Sequence, residues 1–246
     1  MKKTNKGVLW LAAMGMTAIV HAESAPAPTL ATGDTWTYVD TVETGPNGWR
    51  QTHDEIVVTH ITSDRIYYEA KQAGTTQASR EMIAGIDWSR SRNVNGTETL
   101  VNQPLSFPLT TGKSWNVKYT EAHPNPKHDS ESLDERFKVV GIENIEVPAG
   151  KFDAIKVEAE GDWTAQTAPV RSATGGTVVT ETGAAAVAQT RKVPSVTTTG
   201  RLYKAFWYVP EIGRWVKSVE EYYSSNGVRN ERVTSELESF KHGSSQ

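Results

Sequence analysis

Few residues of this sequence have the types and spacing that metal binding requires. His123 and His128 flank a segment with two prolines, and Asp129 follows directly. Imidazole and carboxylate groups suit zinc or copper, so a loop that gathered these three side chains would form a metal site. A proline-rich loop with solvated histidines accounts for the same spacing and is the commoner structure. The sequence therefore predicts no metal site and no cofactor.

Carboxylates occur in closely spaced pairs, which acid–base hydrolysis would need. The pairs are Asp54/Glu55, Glu158/Glu160, Glu220/Glu221 and Glu236/Glu238. A glycosidase needs two carboxylates that face each other across a cleft, whereas Glu158 and Glu160 alternate with apolar residues and so fall on a solvated strand face. The sequence contains no cysteine, and it has no nucleophile elbow, metalloprotease motif or nucleotide-binding motif. We predict no catalytic residues, and a hydrolase is the third-ranked hypothesis.

The first 22 residues have the pattern of a signal peptide. Three lysines precede an apolar run from Val8 to Val20, and the small residues before Glu23 suit a signal peptidase that cuts after Ala22. No later stretch is long and apolar enough to form a transmembrane helix. Position 23 is not the cysteine that a bacterial lipoprotein requires. We predict a periplasmic or secreted protein with no transmembrane span in the mature chain.

The composition excludes nucleic acid as a partner. The full sequence has a net charge of −3, and removing the leader takes three lysines with it. A nucleic-acid-binding protein needs a basic surface to neutralise phosphates. An exported protein without cysteine also has no disulfides, so its stability must come from a hydrophobic core.

β-branched and aromatic residues dominate the chain from Asp34 onward, between turns rich in Gly, Asn, Asp and Pro. In 155–163 apolar and charged residues alternate, which predicts a strand with one face on a core and the other in water. Only 234–241 suggests a short helix. We predict one all-β domain of antiparallel strands at 34–240, with at most one short helix, a flexible lead-in at 23–33 and a disordered tail at 241–246.

Two local features interrupt this pattern. Residues 30–36 and 109–115 share Leu, Thr, Gly and Trp at matching places, so each is expected to form a turn with a positive-φ glycine before a Trp that begins a strand. Convergence on a good turn and duplication of a sheet unit both explain the match. Residues 165–200 contain no aromatic residue and are rich in Thr, Ala and Gly. We predict a mobile insertion there, either a long loop or a hairpin with arms at 177–182 and 186–191.

Turn motifs in the second half of the chain carry a resemblance. A Leu-x-x-Gly-x-x-Trp turn, the Val-Pro-Ala-Gly-x-Phe-x-Ala hairpin at 147–154 and the Trp-Tyr-x-Pro-x-x-Gly turn at 207–213 resemble those of bacterial exported proteins of unknown function. The resemblance covers about 104–223 without the insertion. It implies an envelope location and a curved antiparallel sheet, similar to the half-barrel of lipoprotein carriers. A lipid-like ligand follows by analogy alone.

The aromatic residues provide candidate binding residues on such a sheet. The mature chain has seven tryptophans, of which several are expected to anchor the core. Trp163, Tyr203, Phe206 and Trp207 are predicted to line an apolar groove on the concave face. Exposed aromatics such as Trp49 and Trp88 would instead stack on sugar rings.

These observations give three hypotheses. The first is a non-enzymatic exported envelope protein that holds an apolar, lipid-like ligand or a segment of an envelope protein on a concave aromatic face. The alternative is a structural or surface protein that contacts polysaccharide or peptidoglycan. A hydrolase is the third, and it requires a pocket in which a carboxylate or histidine has a strongly shifted pKa. The sequence does not indicate an oligomeric state.

Overall fold

The computed structural model is built around one open antiparallel sheet. It describes residues 24–45, 48–126, 128–167, 170–180 and 183–243, and for 170–193 it describes the backbone alone. The strands are β1 (Ser24–Ala25), β2 (Thr35–Thr44), β3 (Gly48–Ile61), β4 (Arg65–Gln72), β5 (Arg80–Gly85), β6 (Arg90–Val94), β7 (Thr97–Asn102), β8 (Leu109–Thr110), β9 (Ser114–Asn125), β10 (His128–Val147), β11 (Gly150–Thr167), β12 (Val170–Thr180), β13 (Gly183–Val193), β14 (Thr197–Val209), β15 (Arg214–Ser224) and β16 (Arg229–Lys241). Ten of them form the main sheet, in the order β5-β4-β3-β2-β16-β15-β14-β11-β10-β9.

The all-β prediction is confirmed. The one helix among the described residues is a short 3₁₀ turn, Pro210–Ile212, between β14 and β15. The segment 234–241, which suggested a helix, lies in strand β16 because it pairs with β15 on one side and β2 on the other. Pairing with two neighbours outweighs a weak local preference for helix.

Alternation along the strands gives the sheet two chemically different faces. On β11, Val157 and Ala159 are buried and lie opposite Phe206 and Lys204 of β14. The charged residues of β11 that alternate with these apolar ones point to the opposite side of the sheet, as the alternation in 155–163 predicts. We call the side of Val157 and Phe206 the inner face and the opposite side the outer face.

The segment between β5 and β9 folds over the inner face and supplies part of the core. Trp88, Leu105 and Leu109 of this segment are 3%, 0% and 0% exposed. The Trp88 ring packs edge-on against Trp36 of β2 at 5.5 Å and Tyr68 of β4 at 5.6 Å between centroids. The inner face is therefore covered by the chain itself at this end of the sheet.

Hairpin β6–β7, within the same segment, connects the two edges of the sheet. Arg65 on β4 lies 3.5 Å from Glu98 on β7, and Arg92 on β6 lies 2.5 Å from Glu121 on β9. Asn95, in the turn of the hairpin, donates a 2.9 Å hydrogen bond to a backbone carbonyl of β9. Because one hairpin contacts both edge regions, the sheet is curved around it.

The two similar sequences at 30–36 and 109–115 form the same turn. Gly33 and Gly112 have φ of 89° and 87°. Their N–H groups donate to the carbonyls of Val58 at 2.7 Å and Val139 at 2.8 Å. Each turn leads its Trp into a main-sheet strand, as the sequence predicts.

The Thr/Ala/Gly-rich segment contains a hairpin in which β12 and β13 pair from Val170↔Val193 to Thr180↔Gly183. Its arms are longer than those expected at 177–182 and 186–191, and its mobility stays a prediction.

Part of the lead-in at 23–33 packs on the domain, where β1 pairs with β8. At the other end, the Gly243 N–H donates to Asp34 at 2.8 Å. The signal-peptide prediction lies outside the described residues, and so do residues 244–246.

Candidate functional site

Two adjoining cavities lie between the inner face and hairpin β6–β7. The larger is about 400 Å³ and is lined mainly by residues of β9, β10, β11, β14 and β15, among them Trp163 and Lys204. The smaller is about 230 Å³ and includes Phe206 and Arg214 in its wall. Arg90, Asn102 and Glu220 line both cavities. The two spaces are therefore neighbours, and together they form the candidate site.

The structure divides the four predicted binding residues between the two faces. Trp163 on β11 and Phe206 on β14 lie on the inner face, where each lines one of the cavities. Tyr203 and Trp207 lie on the outer face, because neighbouring residues in a strand point to opposite sides. The four residues do not form one groove.

Trp207 and Tyr203 are held on the outer face by charged neighbours. The ammonium of Lys156 lies 5.1 Å from the Trp207 ring centre, and Trp207 is 8% exposed. The Tyr203 hydroxyl donates a 2.9 Å hydrogen bond to Glu158. Burial, followed by the negative charge of Glu158, raises the pKa of Tyr203. Glu158 and Tyr203 thus form a side-chain pair on the solvated side of the sheet.

The apolar part of the inner face is filled rather than open. Trp88, Leu105 and Leu109 are buried against it, and Phe107 stacks edge-on against Tyr208 at 5.3 Å. The expected apolar aromatic groove is therefore occupied by the protein's own side chains. The space that remains is lined by aromatic rings together with ionisable groups.

A buried ion pair lies beside the larger cavity, and its lysine, Lys204, lines the cavity wall. Glu135 is 0% exposed, and its carboxylate lies 2.5 Å from the ammonium of Lys204. Lys204 also lies 4.0 Å from Glu220. Burial raises the pKa of Glu135, and the charge of Lys204 opposes that rise. Gly161 leaves room for this pair, since a Cβ there would lie 2.9 Å from the Glu135 Cα.

An acidic pair lies at the other end, in the smaller cavity. Asp40 hydrogen-bonds with Ser235 and interacts with the neighbouring Asp54 carboxyl. Burial raises the pKa of Asp40 to about 6, the Asp54 carboxylate adds to the rise, and the charge of Arg214 opposes it. Asp40 therefore changes its protonation state near neutral pH.

We expect Asp40→Asn to remove a pH dependence of stability. The pKa of Asp40 is about 6 in the folded protein against 3.8 for the free group, so the folded state binds the proton more tightly. The stability that this tighter proton binding gives the folded state is fully present below about pH 4 and is lost as the pH rises through about 6. Because the group is half-buried, we expect Asp40→Asn to be more stable than wild type at pH 7.5 by roughly 1–2 kcal/mol, with little difference at pH 4.

Urea unfolding at both pH values measures this difference. Asp162→Asn, which changes an exposed carboxyl on the outer face, is the control and should show the same small effect at both. An Asp40→Asn effect that does not change with pH would contradict the assignment.

Several buried polar atoms at the cavities have no hydrogen-bond partner among the residues that the structure describes. They are Asn102 Oδ1, Trp163 Nε1 and the Nε and Nη1 atoms of Arg214. The Trp163 ring covers Gly200, where an added Cβ would lie 2.6 Å from it. Buried polar groups are normally hydrogen-bonded, so a cluster of unpartnered ones beside a cavity marks a place where a polar ligand gains contacts.

The histidine cluster does not converge on one point. His123 is exposed and lies 3.7 Å from Asp129, whereas His128 hydrogen-bonds with Glu131. Across the part of the chain that the structure describes, no group of three or more His, Asp or Glu residues is arranged to hold a metal ion.

None of the helical residues described there forms a segment long and apolar enough to cross a membrane.

Sequence reasoning missed the residues that make the site polar. Lys204, Arg214 and Asp40 lie in strands whose neighbours are mostly apolar, and the sequence does not show that they meet. One signal was available for the hairpin that covers them. Asn95-Gly96 is a two-residue turn sequence, and both residues have the positive φ, 51° and 86°, that such a turn needs.

Comparisons with known proteins give structural similarity only. No protein-family model matches the chain, and no curated protein matches it. The chain is similar to a crystal structure described as a lipoprotein from Parabacteroides distasonis, with 15% identity, a TM-score of 0.46, and coverage of 89% of this chain and 100% of that one. It is also similar to the crystal structure of an exported protein with a YmcC-like fold from Bacteroides fragilis, with 16% identity, a TM-score of 0.43, and coverage of 88% and 99%.

Proposed function

We propose that this protein is an exported cell-envelope protein that binds a small amphipathic ligand inside its curved sheet, beneath hairpin β6–β7. The proposal that the protein is exported rests on the signal-peptide pattern of residues 1–22. The observation that carries the ligand is the pair of adjoining cavities, where aromatic rings and unpartnered polar atoms line the same wall.

The polarity of the cavities favours an amphipathic ligand over an acyl chain. A lipid tail needs a continuous apolar wall, whereas the larger cavity contains Lys204 and Glu220 beside Trp163 and Leu133. Burying an apolar chain against charged groups would remove their water without replacing its hydrogen bonds. A ligand with both polar groups and an apolar body satisfies both kinds of wall.

Contact with polysaccharide has less support. Stacking on a sugar polymer needs several exposed rings, and Trp49 is the one exposed tryptophan among the described residues, at 65%. Trp88, which was the second candidate for such stacking, is 3% exposed and belongs to the core. A single exposed tryptophan among the described residues offers little for a polymer to bind.

Hydrolysis is the second candidate because Asp40 and Asp54 meet in the smaller cavity. A carboxyl with a pKa of about 6 is able to act as a general acid near neutral pH. The test is to incubate the protein with the molecule it co-purifies with and to follow that molecule by mass. A ligand that stays intact contradicts hydrolysis, whereas conversion by the wild type and none by Asp40→Asn would support it.

Native mass spectrometry of the mature chain, 23–246, purified gently from its own cells, tests the binding proposal. We expect a mass excess that disappears on denaturation. Ala165→Phe combined with Ala70→Phe should abolish it, because Ala165 lines the larger cavity and Ala70 lines the smaller one. Ala122→Phe makes the same change at an exposed position of β9 and should leave it intact. An apo mass for the wild type would contradict the proposal, as would an equal excess in both variants.

A further inference from the structure

Arg214 is a buried cation that makes no ion pair with any of the residues that the structure describes. It is 7% exposed, and its guanidinium lies 4.0 Å from the Trp88 ring centre and 4.1 Å from that of Trp215. Within the described part of the chain, its Nε and Nη1 atoms have no hydrogen-bond partner, and no carboxylate comes within ion-pair distance of it. A charge buried in this way is costly unless it is paired, so the rings hold in place a donor that is ready for an anion.

Carboxyl groups line the same cavity. Asp40 and Asp54 are neighbours there, and Glu220 lies where the two cavities adjoin. Glu220 is already engaged, since it accepts a 3.2 Å hydrogen bond from Tyr222 and lies 4.0 Å from Lys204. Asp40 and Asp54 repel each other and have no ion-pair partner among the described residues. They are therefore placed to accept hydrogen bonds from a cationic group.

The remaining wall is apolar and aromatic. Ile56, Tyr68, Phe206 and Trp215 line the cavity between these charges. The rings of Phe206 and Trp215 pack edge-on at 5.3 Å between centroids. A ligand held here would contact an aromatic surface with its own apolar part.

We propose that the smaller cavity binds a zwitterionic, amino-acid-like molecule, whose carboxylate accepts hydrogen bonds from Arg214 and whose ammonium donates to Asp40 and Asp54. Its apolar side chain packs on Phe206 and Trp215. A simple anion would pair with Arg214 but face the acidic pair, and a simple cation would pair with the acids but face Arg214. A zwitterion pairs with both. This inference rests on the proposed function and names the class of its ligand.

Three related probes test the inference by isothermal titration calorimetry with the mature protein. L-phenylalanine carries both charges, L-phenylalaninamide carries the ammonium alone, and N-acetyl-L-phenylalanine carries the carboxylate alone. We expect L-phenylalanine to bind at least tenfold more tightly than either analogue. Equal or tighter binding of a singly charged analogue would overturn the zwitterion, and so would the absence of binding by all three.

Charge-removing variants identify the groups involved. Arg214→Met should weaken L-phenylalanine binding at least tenfold, whereas Arg136→Met, an exposed arginine of the outer face, should leave it unchanged. Asp54→Asn should weaken L-phenylalanine but leave N-acetyl-L-phenylalanine unchanged or bound more tightly, which a merely unfolded variant would not do. This second variant keeps the test decisive if Arg214→Met fails to fold. L-phenylalanine binding that survives both changes would overturn the inference.

The outcome is separable from that of the proposed function. A co-purified ligand that the combined Ala165→Phe and Ala70→Phe changes remove, but that carries no amino-acid-like group, would keep the proposed function and overturn this inference. The absence of any co-purified ligand, together with no binding of the three probes, would overturn both.

Discussion

Replacing Lys204 with methionine is expected to lower the free energy of unfolding by about 3–5 kcal/mol, because it leaves a buried carboxylate without its partner. Glu135 is 0% exposed and lies 2.5 Å from the Lys204 ammonium. Methionine keeps most of the apolar length of the side chain, so the loss reports the charge rather than the packing. Urea unfolding at neutral pH measures it.

Two variants separate the buried pair from ion pairs in general. Lys118→Met removes a lysine that also lies 2.5 Å from a carboxylate, but its side chain is 71% exposed, so we expect a loss below about 1 kcal/mol. Glu135→Gln combined with Lys204→Met should recover most of the stability, because neither charge then stays unpaired. Equal losses for Lys118→Met and Lys204→Met would show that burial does not determine the effect.

The loss of folding stability caused by Lys204→Met should also depend on pH. Burial raises the pKa of Glu135, and Lys204 opposes that rise in the wild type. Without Lys204 the folded state holds a proton on Glu135 to higher pH than the unfolded chain does. The defect should therefore shrink as the pH falls towards 5 and grow as it rises. A defect that is constant with pH would indicate lost packing alone.

Replacing Trp88 with alanine is expected to cost about 3–5 kcal/mol, the range for large aromatic side chains in a core. Its ring packs edge-on against Trp36, Tyr68 and Trp215, and its Nε1 donates a 2.9 Å hydrogen bond to the Gly213 carbonyl. The residue attaches the covering segment to the inner face. Its loss should therefore also raise the affinity of the interior for a hydrophobic dye.

Thermal and urea unfolding of three variants test this role. Trp88→Phe keeps a ring but leaves the buried Gly213 carbonyl unpaired, so it should cost about 1–3 kcal/mol. Trp49→Ala removes a tryptophan that is 65% exposed and should change stability by no more than about 0.5 kcal/mol. A Trp88→Ala protein as stable as Trp49→Ala would contradict the placement of Trp88 in the core.

The four predicted binding residues show which features of the fold a local sequence pattern predicts. Their types were a sound guide to burial, since Phe206 and Trp207 are 2% and 8% exposed. Their grouping was not, because Tyr203 and Trp207 share one face of β14 and Phe206 lies on the other. The period of two that predicts a strand also forbids adjacent residues from lining one groove.

Lys204 shows why the polar site was not predicted. It lies on the inner face of β14, between apolar neighbours, and it has a partner only because Glu135 of β10 occupies the same face across β11. Its second acidic neighbour, Glu220, comes from β15. Glu220 faces Lys204 across the β14–β15 hairpin, but Glu135 lies far from both in the chain. Its meeting with Lys204 depends on strand order and register, which no local pattern encodes.

The sequence by itself determined the strand content, the alternation on β11 and the repeated glycine turn at 30–36 and 109–115, because each of these depends on φ/ψ preferences and burial over a few residues. Tertiary structure alone decided that the segment between β5 and β9 fills the apolar part of the inner face, and that Arg214, Asp40 and Asp54 share a cavity. The physical reason is that long-range pairing sets which side chains meet, and their pKa values and unpartnered atoms follow from those neighbours.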